Sequence, residues 1–267
     1  MGDEELHDIQ KTNTAHYLFR PVRDVLKTLA EDTPPATTFT VGMGAQNAPR
    51  YSGSGERNWL VAPVIQARDG AFFFDSLKGI GYDLQTDNGL YLEHTLGYSL
   101  GRTDKNSMWR DGSAKLKGMG HIDATANTAL AVGWSATPWL SFEGKATLPL
   151  TDGQGVHYQT SVTLLPLQND TDTVALQSAA LFGDRRYMNT FYGISREQSS
   201  RSHFGAYQAA GGFYGVDSSL TWSHQLTPNW SGLVSADYTW LDDKAADSPI
   251  VEKRGGMTFN LAVLYTF

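Results

Sequence analysis

The chain has 267 residues, a mass of 29.3 kDa, no cysteine and a net charge of −7. A disulfide scaffold and a zinc–thiolate site are therefore excluded, and the acidic balance argues against nucleic acid as a partner. Only 40% of residues are apolar, and no apolar run approaches the roughly 18–20 residues of a spanning helix. What survives is a soluble α/β or β domain, or a transmembrane β-barrel, whose apolar surface is hidden in alternation.

The first 36 residues stand apart from the rest. Met1-Gly2-Asp3-Glu4-Glu5 has neither the basic nor the apolar stretch of a secretory signal. That fits a cytoplasmic chain, or a mature exported form with an added start methionine. Leu18, Val22, Val25, Leu26 and Leu29 recur at helical spacing. Thr33-Pro34-Pro35 then stops any helix. One short amphipathic helix and a linker are expected over residues 1–36, packed on the domain, plugging it, or serving as a periplasmic arm.

From residue 37 the period becomes two. Strands are expected near 37–46, 58–68, 71–76, 79–86, 88–102, 122–136, 138–150, 156–167, 172–183, 213–226, 229–241 and 256–267. In the last, Met257, Phe259, Leu261, Val263, Tyr265 and Phe267 share one face, against Thr258, Asn260, Ala262, Leu264 and Thr266. In 138–150, Leu140, Phe142, Ala146 and Leu148 oppose Ser141, Glu143, Lys145 and Thr147. Such one-face-apolar alternation marks half-buried strands.

Three features favour a membrane barrel over a soluble one. Connections alternate between tight turns (Thr137-Pro138, Asn169-Asp170-Thr171, Thr227-Pro228-Asn229) and long segments at 103–121, 184–210 and 242–254; short periplasmic turns with long outer loops are the membrane-barrel asymmetry. Trp139 and Trp230 flank short turns while Trp240 and Tyr98 approach long ones, as interfacial aromatics do. The chain ends Leu264-Tyr265-Thr266-Phe267, an alternating strand closed by an aromatic residue. That ending resembles the assembly signal of bacterial outer-membrane barrels, with Tyr265 and Phe267 read by the barrel assembly machinery. Both ends of such a chain face the periplasm, so the strand number is even. Twelve strands are expected, with ten as the alternative, in an all-β, antiparallel, up-and-down transmembrane barrel over residues 37–267. His94 sits awkwardly on its lipid face.

The polar face carries Glu93, Glu143, Lys145, His157 and Asp237. His157, Ser161, Glu143 and Asp237 could converge on lumen hydrolysis. Mutual pairing of lumen polar groups is the preferred reading, with Glu143 and Lys145 two apart on one strand. The seven histidines show no metal-binding spacing, and neither GxSxG nor a Walker loop occurs. No cofactor, metal or catalytic residue is expected. The segment 184–210 combines Arg185, Arg186, Arg196 and Arg201 with five aromatics. It reads either as an inward constriction with arginines in the lumen, the preferred choice, or as a cover facing lipopolysaccharide. Lys105, Arg110, Lys115 and Lys117 mark the 103–121 loop as solvated or lipopolysaccharide-facing.

The loops also carry recognisable text. Tyr192-Gly193-Ile194-Ser195 followed by Ser200-Arg201-Ser202 and Tyr207, and Ala246-Asp247-Ser248-Pro249-Ile250-Val251, resemble long-loop motifs of the MipA/OmpV family. Pro49-Arg50-Tyr51-Ser52-Gly53-Ser54 and His121-Ile122-Asp123-Ala124-Thr125 are similar to further family stretches. The similarity runs from about residue 38 to the C-terminus and leaves 1–36 unmatched. It implies an outer-membrane barrel of a Gram-negative bacterium. The family's name-giving member is regarded as a non-enzymatic scaffold joining a periplasmic lytic transglycosylase to a murein synthase. Other members are described as adhesins or antibiotic-responsive, porin-like proteins. A scaffold is therefore expected first, a channel for small solutes or antibiotics second, and an adhesin or hydrolase last. The motif loops are expected to serve in interaction or constriction.

Overall fold

The structure, a computed structural model, describes residues 37–151 and 153–267. The amphipathic helix expected between residues 18 and 29 lies outside the described residues.

All twelve expected strands are present. They are β1 (Thr38–Pro49), β2 (Arg57–Asp69), β3 (Phe72–Asp75), β4 (Gly79–Gln85), β5 (Leu90–Ser99), β8 (Thr125–Thr137), β9 (Leu140–Pro149), β10 (His157–Gln168), β11 (Asp172–Gly183), β12 (Gly212–Gln225), β13 (Trp230–Leu241) and β14 (Gly255–Thr266). Each pairs antiparallel with its sequence neighbour, and β14 closes on β1. The even count keeps both barrel termini at one rim, and the ten-strand alternative falls. Outside the ring, the 100–124 loop adds a two-residue parallel pair, β6 (Arg102–Thr103) and β7 (Asp111–Gly112). Three short helices follow: α1 (Arg185–Phe191), α2 (Arg196–Arg201) and α3 (Asp243–Ala246).

The alternation is inverted relative to a soluble domain. Val61, Ile80, Leu96, Val132, Leu220, Val234, Leu261 and Val263 face outward and are exposed. Gln66, Thr95, Ser141, Thr163, Gln177, Ser235 and Asn260 face inward and are buried. Exposed apolar surface on every strand, around a polar interior, is what hydrocarbon outside and water-compatible groups inside require. Trp134, Trp139, Trp222 and Trp230 lie exposed near the tight-turn rim, while Trp59 and Tyr98 lie exposed nearer the long-loop rim.

The closing seam is tied from both faces. Inside, the Thr40 and Thr266 hydroxyls meet at 2.9 Å, and Gln46 Nε2 donates to Asn260 Oδ1 at 3.0 Å. Outside, Phe39 and Phe267 rings lie 5.5 Å apart, and Tyr265 packs edge-on to both Trp230 and Phe267. A side chain at Gly42 would run 2.2 Å from Val263 O, so only glycine lets β1 and β14 approach there.

One part of the wall is low. β3 and β4 have four and seven residues, against thirteen in β2, and their turn therefore stops partway up. Ile65 is the last β2 residue bonded to it, through Ser76 N to Ile65 O at 2.9 Å. Pro63, two residues on, turns the same backbone side toward the gap. Its missing N–H suits an edge with no strand beside it.

His94 keeps its outward position, and the structure explains how. Its Nε2 lies 2.7 Å from Thr128 Oγ1, and its ring packs edge-on to Tyr82 at 5.5 Å. The His94 Nε2 and the Thr128 hydroxyl thus satisfy each other laterally, without water from the membrane.

Candidate functional site: a charged lumen beneath a roof

Period-two geometry sends the expected lumen residues inward. Glu93 is buried and ion-paired with Lys78. Arg68 pairs with Asp83 at 2.9 Å, and the Arg68 and Lys78 cations both lie over the Phe73 ring. Glu143 accepts from the Tyr91 hydroxyl at 2.8 Å. Asp217 accepts from Thr239 Oγ1 at 2.7 Å, and Asp237 is buried opposite Ser219. Among the described residues, the strands and tight turns turn six carboxylates (Asp75, Asp83, Glu93, Glu143, Asp217, Asp237) and three cations (Arg68, Lys78, Lys145) inward. The barrel wall is thus acidic on its inner side among these residues. Glu143 and Lys145 share the inner face as expected, but no ion pair within 4 Å joins them among the described residues.

The suspected hydrolytic set does not assemble. Ser161 and Glu143 are direct cross-strand partners on β10 and β9. His157 lies four residues from Ser161 on the same strand, roughly 13 Å away at strand rise. It stacks instead on Tyr187 of α1, ring centroids 4.8 Å apart. Asp237 is on β13, with β11 and β12 intervening. No nucleophile–base–acid set is within hydrogen-bond reach here, and no His, Asp and Glu group among the described residues could hold a metal.

Above the lumen, the long loops join into a roof. Its first core unites Met188, Tyr192, Ala209, Tyr214, Leu241 and Ala245; the second unites Tyr51, Leu116, Met119, Ile194 and Ile250. These residues come from the β1–β2, β5–β8, β11–β12 and β13–β14 connections and the strand ends beneath them, so the contacts reach across the mouth. Gln198 Nε2 donates to Met119 O at 2.9 Å, linking the 184–211 loop to the 100–124 loop. Tyr51 Oη donates to Ile250 O at 2.8 Å. Ser52 Oγ and Tyr192 Oη meet at 2.8 Å, Ser248 Oγ donates to Tyr192 O, and Tyr207 Oη donates to Lys244 O at 2.8 Å.

Local capping shapes the roof helices. Asp184 Oδ1 accepts from Tyr187 N at 2.7 Å, holding the free donors of α1. Ser195 and Gln198 form a reciprocal capping box on α2. Ile194 and Tyr207 then bridge across the base of that excursion.

The family-like stretches therefore meet at one place, and mostly as packing. Tyr192, Gly193, Ile194, Ser248 and Ile250 are buried; Ser202 and Tyr207 are half-buried. Ser195, Arg201, Asp247 and Pro249 remain exposed. The arginine-lined constriction expected of 184–210 is not formed. The tract turns Tyr187, Met188 and Tyr192 onto the barrel rim and leaves Arg185, Arg186, Arg196 and Arg201 exposed. Apolar burial wins over placing four guanidinium groups in a confined space.

Two charged roof residues escaped the sequence reading. Arg102 is buried, donates from Nη1 to Phe191 O at 2.7 Å, and lies over the Tyr51 ring. Asp111 is its neighbour across the β6–β7 pair and is exposed to solvent. Burial lowers Arg102 and pushes Tyr51 up to about 12. At the edge, Lys115 pairs with Glu252 at 2.8 Å and holds that carboxyl below its ordinary value. No periodic signal singles out any of these four loop positions.

Comparison with known proteins places this architecture. The family model for the MltA-interacting protein MipA matches residues 41–267. The proteins named "Putative outer membrane protein YiaT" from Escherichia coli O157:H7 and strain K12 are each 24% identical over 245 residues, covering 87% of this chain and 92% of theirs. Among solved structures, the NanC porin aligns with a TM-score of 0.42 at 10% identity, covering 85% of this chain and 98% of its own. The translocator domain of the autotransporter NalP from Neisseria meningitidis aligns at 0.44 and 11% identity, covering 91% and 93%. The chain is a twelve-stranded outer-membrane β-barrel, and it belongs to the MltA-interacting protein MipA family.

Proposed function

We propose that this barrel is a non-enzymatic docking platform in the outer membrane, whose periplasmic rim holds enzymes that build and cut murein. The observation that carries this reading is the roof. Loops from four connections share two apolar cores over the outer mouth, which supports a closed barrel better than a diffusion pore. The family description supplies the class of partner, an MltA-type lytic transglycosylase, and a murein synthase is the second candidate. The exposed cations Lys105, Lys117, Arg185 and Arg196 on the outer loops suit the anionic headgroups of lipopolysaccharide. Tyr265 and Phe267, at the periplasmic end of β14, suit recognition by the barrel assembly machinery.

The test is retention of a purified lytic transglycosylase on the full chain held in lipid nanodiscs. Retention is expected, and exchanging the 169–171 and 226–229 turns for those of an unrelated barrel should lower it at least about tenfold. Equal retention by the unrelated barrel itself would overturn the reading. A channel is the second reading, favoured by the polar lumen.

A further inference from the structure

Above the β3–β4 turn the wall has a window. Asp69 ends β2 at the periplasmic rim, and Ile65, the last β2 residue bonded to the turn, stands four residues higher. Four residues rise about 13 Å along a strand. At a tilt of about 40° that is about 10 Å of height, in an apolar band about 25 Å tall. The window therefore lies in the outer part of the membrane. Its breadth is that of the two strands that stop short, roughly 10 Å.

The frame continues the lipid-facing belt. Trp59, Val61 and Ile65 are exposed along β2, and Tyr98 and Leu100 are exposed at the far side, where β5 ends. The lower edge is the Ser76-Leu77-Lys78 turn, with Leu77 exposed. This turn keeps its polar groups to itself. Asp75 Oδ1 accepts from Leu77 N at 2.8 Å and Lys78 N at 3.2 Å, and Ser76 Oγ accepts from Ile65 N at 3.0 Å. The Tyr98 hydroxyl donates to Ser76 O. Such closure is what a turn at membrane depth needs, where water is absent. The upper edge is the 106–113 stretch, held by Asn58 Nδ2 to Ser107 O at 2.9 Å and Gly112 N to Arg50 O at 2.8 Å. It leaves Met108 and Trp109 exposed.

The β2 edge shows what the window opens onto. Backbone alternation turns the peptide groups of Trp59, Val61 and Pro63 the same way as those of Ile65, and among the described residues no strand pairs with them on that side. An open edge at membrane depth is tolerated where it lines a water-filled cavity, and not against lipid. Pro63 removes one donor from the middle of this edge and hinders the addition of a foreign strand. The window thus connects lipid to the lumen. Just inside it the charges pair with each other, Arg68 with Asp83 and Lys78 with Glu93, which suits an uncharged solute. The roof covers the axial route, so this opening leads sideways.

We propose that the window between β2 and β5 is a lateral portal, through which small uncharged apolar molecules dissolved in the outer leaflet reach the lumen. This inference does not rest on the docking reading.

The chain has no cysteine, so single engineered thiols report cleanly. Ala62 of β2 faces inward beside the window. Thr147 of β9 faces inward far around the ring, where strands pair on both sides, and both residues are half-buried. Ala62→Cys and Thr147→Cys, each in the full chain in liposomes, are labelled with pyrenylmaleimide, which dissolves in the bilayer, and with a sulfonated maleimide, which stays in water. The ratio of the first rate to the second is expected to be at least about tenfold higher at Ala62→Cys. Equal ratios would overturn the proposal. Leu60→Cys, the next inward position on β2, gives the same reading where Ala62→Cys does not fold. Failure of both β2 thiols to react with pyrenylmaleimide, while the lipid-facing Val132→Cys reacts, would overturn it as well. No partner enzyme enters these rates, so the portal and the docking reading fail in different experiments.

Discussion

At the scale of single residues, His94 shows how this barrel tolerates polarity on its lipid side. The imidazole is acceptable because Thr128 meets its Nε2 without water and the Tyr82 ring packs against it. A fixed charge there has no such partner. His94→Lys is expected to destabilise the barrel by about 2 kcal/mol, the lower end for a lipid-facing cation at mid-membrane. His94→Leu should change stability by less than about 1 kcal/mol, since it removes one satisfied hydrogen bond and adds apolar surface. Equilibrium unfolding in liposomes measures both, and equal values for the two variants would refute this explanation. The position was visible in the alternation as an anomaly. Its remedy was not, because Thr128 lies 34 residues away and only strand register brings it near.

At the scale of elements, strands and roof differ in how far the sequence discloses them. Most of the twelve strands were readable because apolar and polar residues alternate along them, while the four-residue β3, Phe72-Phe73-Phe74-Asp75, was set by the turns on either side of it. The inward direction of Glu93, Glu143, Lys145, His157 and Asp237 followed from the same period. The roof has no period. Its motif residues stood out by family likeness, yet their role as buried packing came only from contacts such as Tyr51 with Ile250 and Ser52 with Tyr192. Arg102 and Asp111, in the two-residue pair β6–β7, carried no signal at all.

At the scale of the whole molecule, three layers divide the work. Lipid meets an apolar belt on twelve strands, the lumen collects charge that pairs across strands, and the long loops spend their aromatic residues on a shared roof. The low apolar content of the chain and its apolar exterior are the same fact, since half of every strand faces a polar interior. A barrel covered at its outer mouth has its tight-turn rim left for partners, which is where docking is expected. The most direct measurement is single-channel recording of the full chain in planar bilayers. A covered barrel gives no stable conductance steps above the bare bilayer at neutral pH. Reproducible, long-lived steps from the folded full chain would contradict it and turn the molecule into a channel.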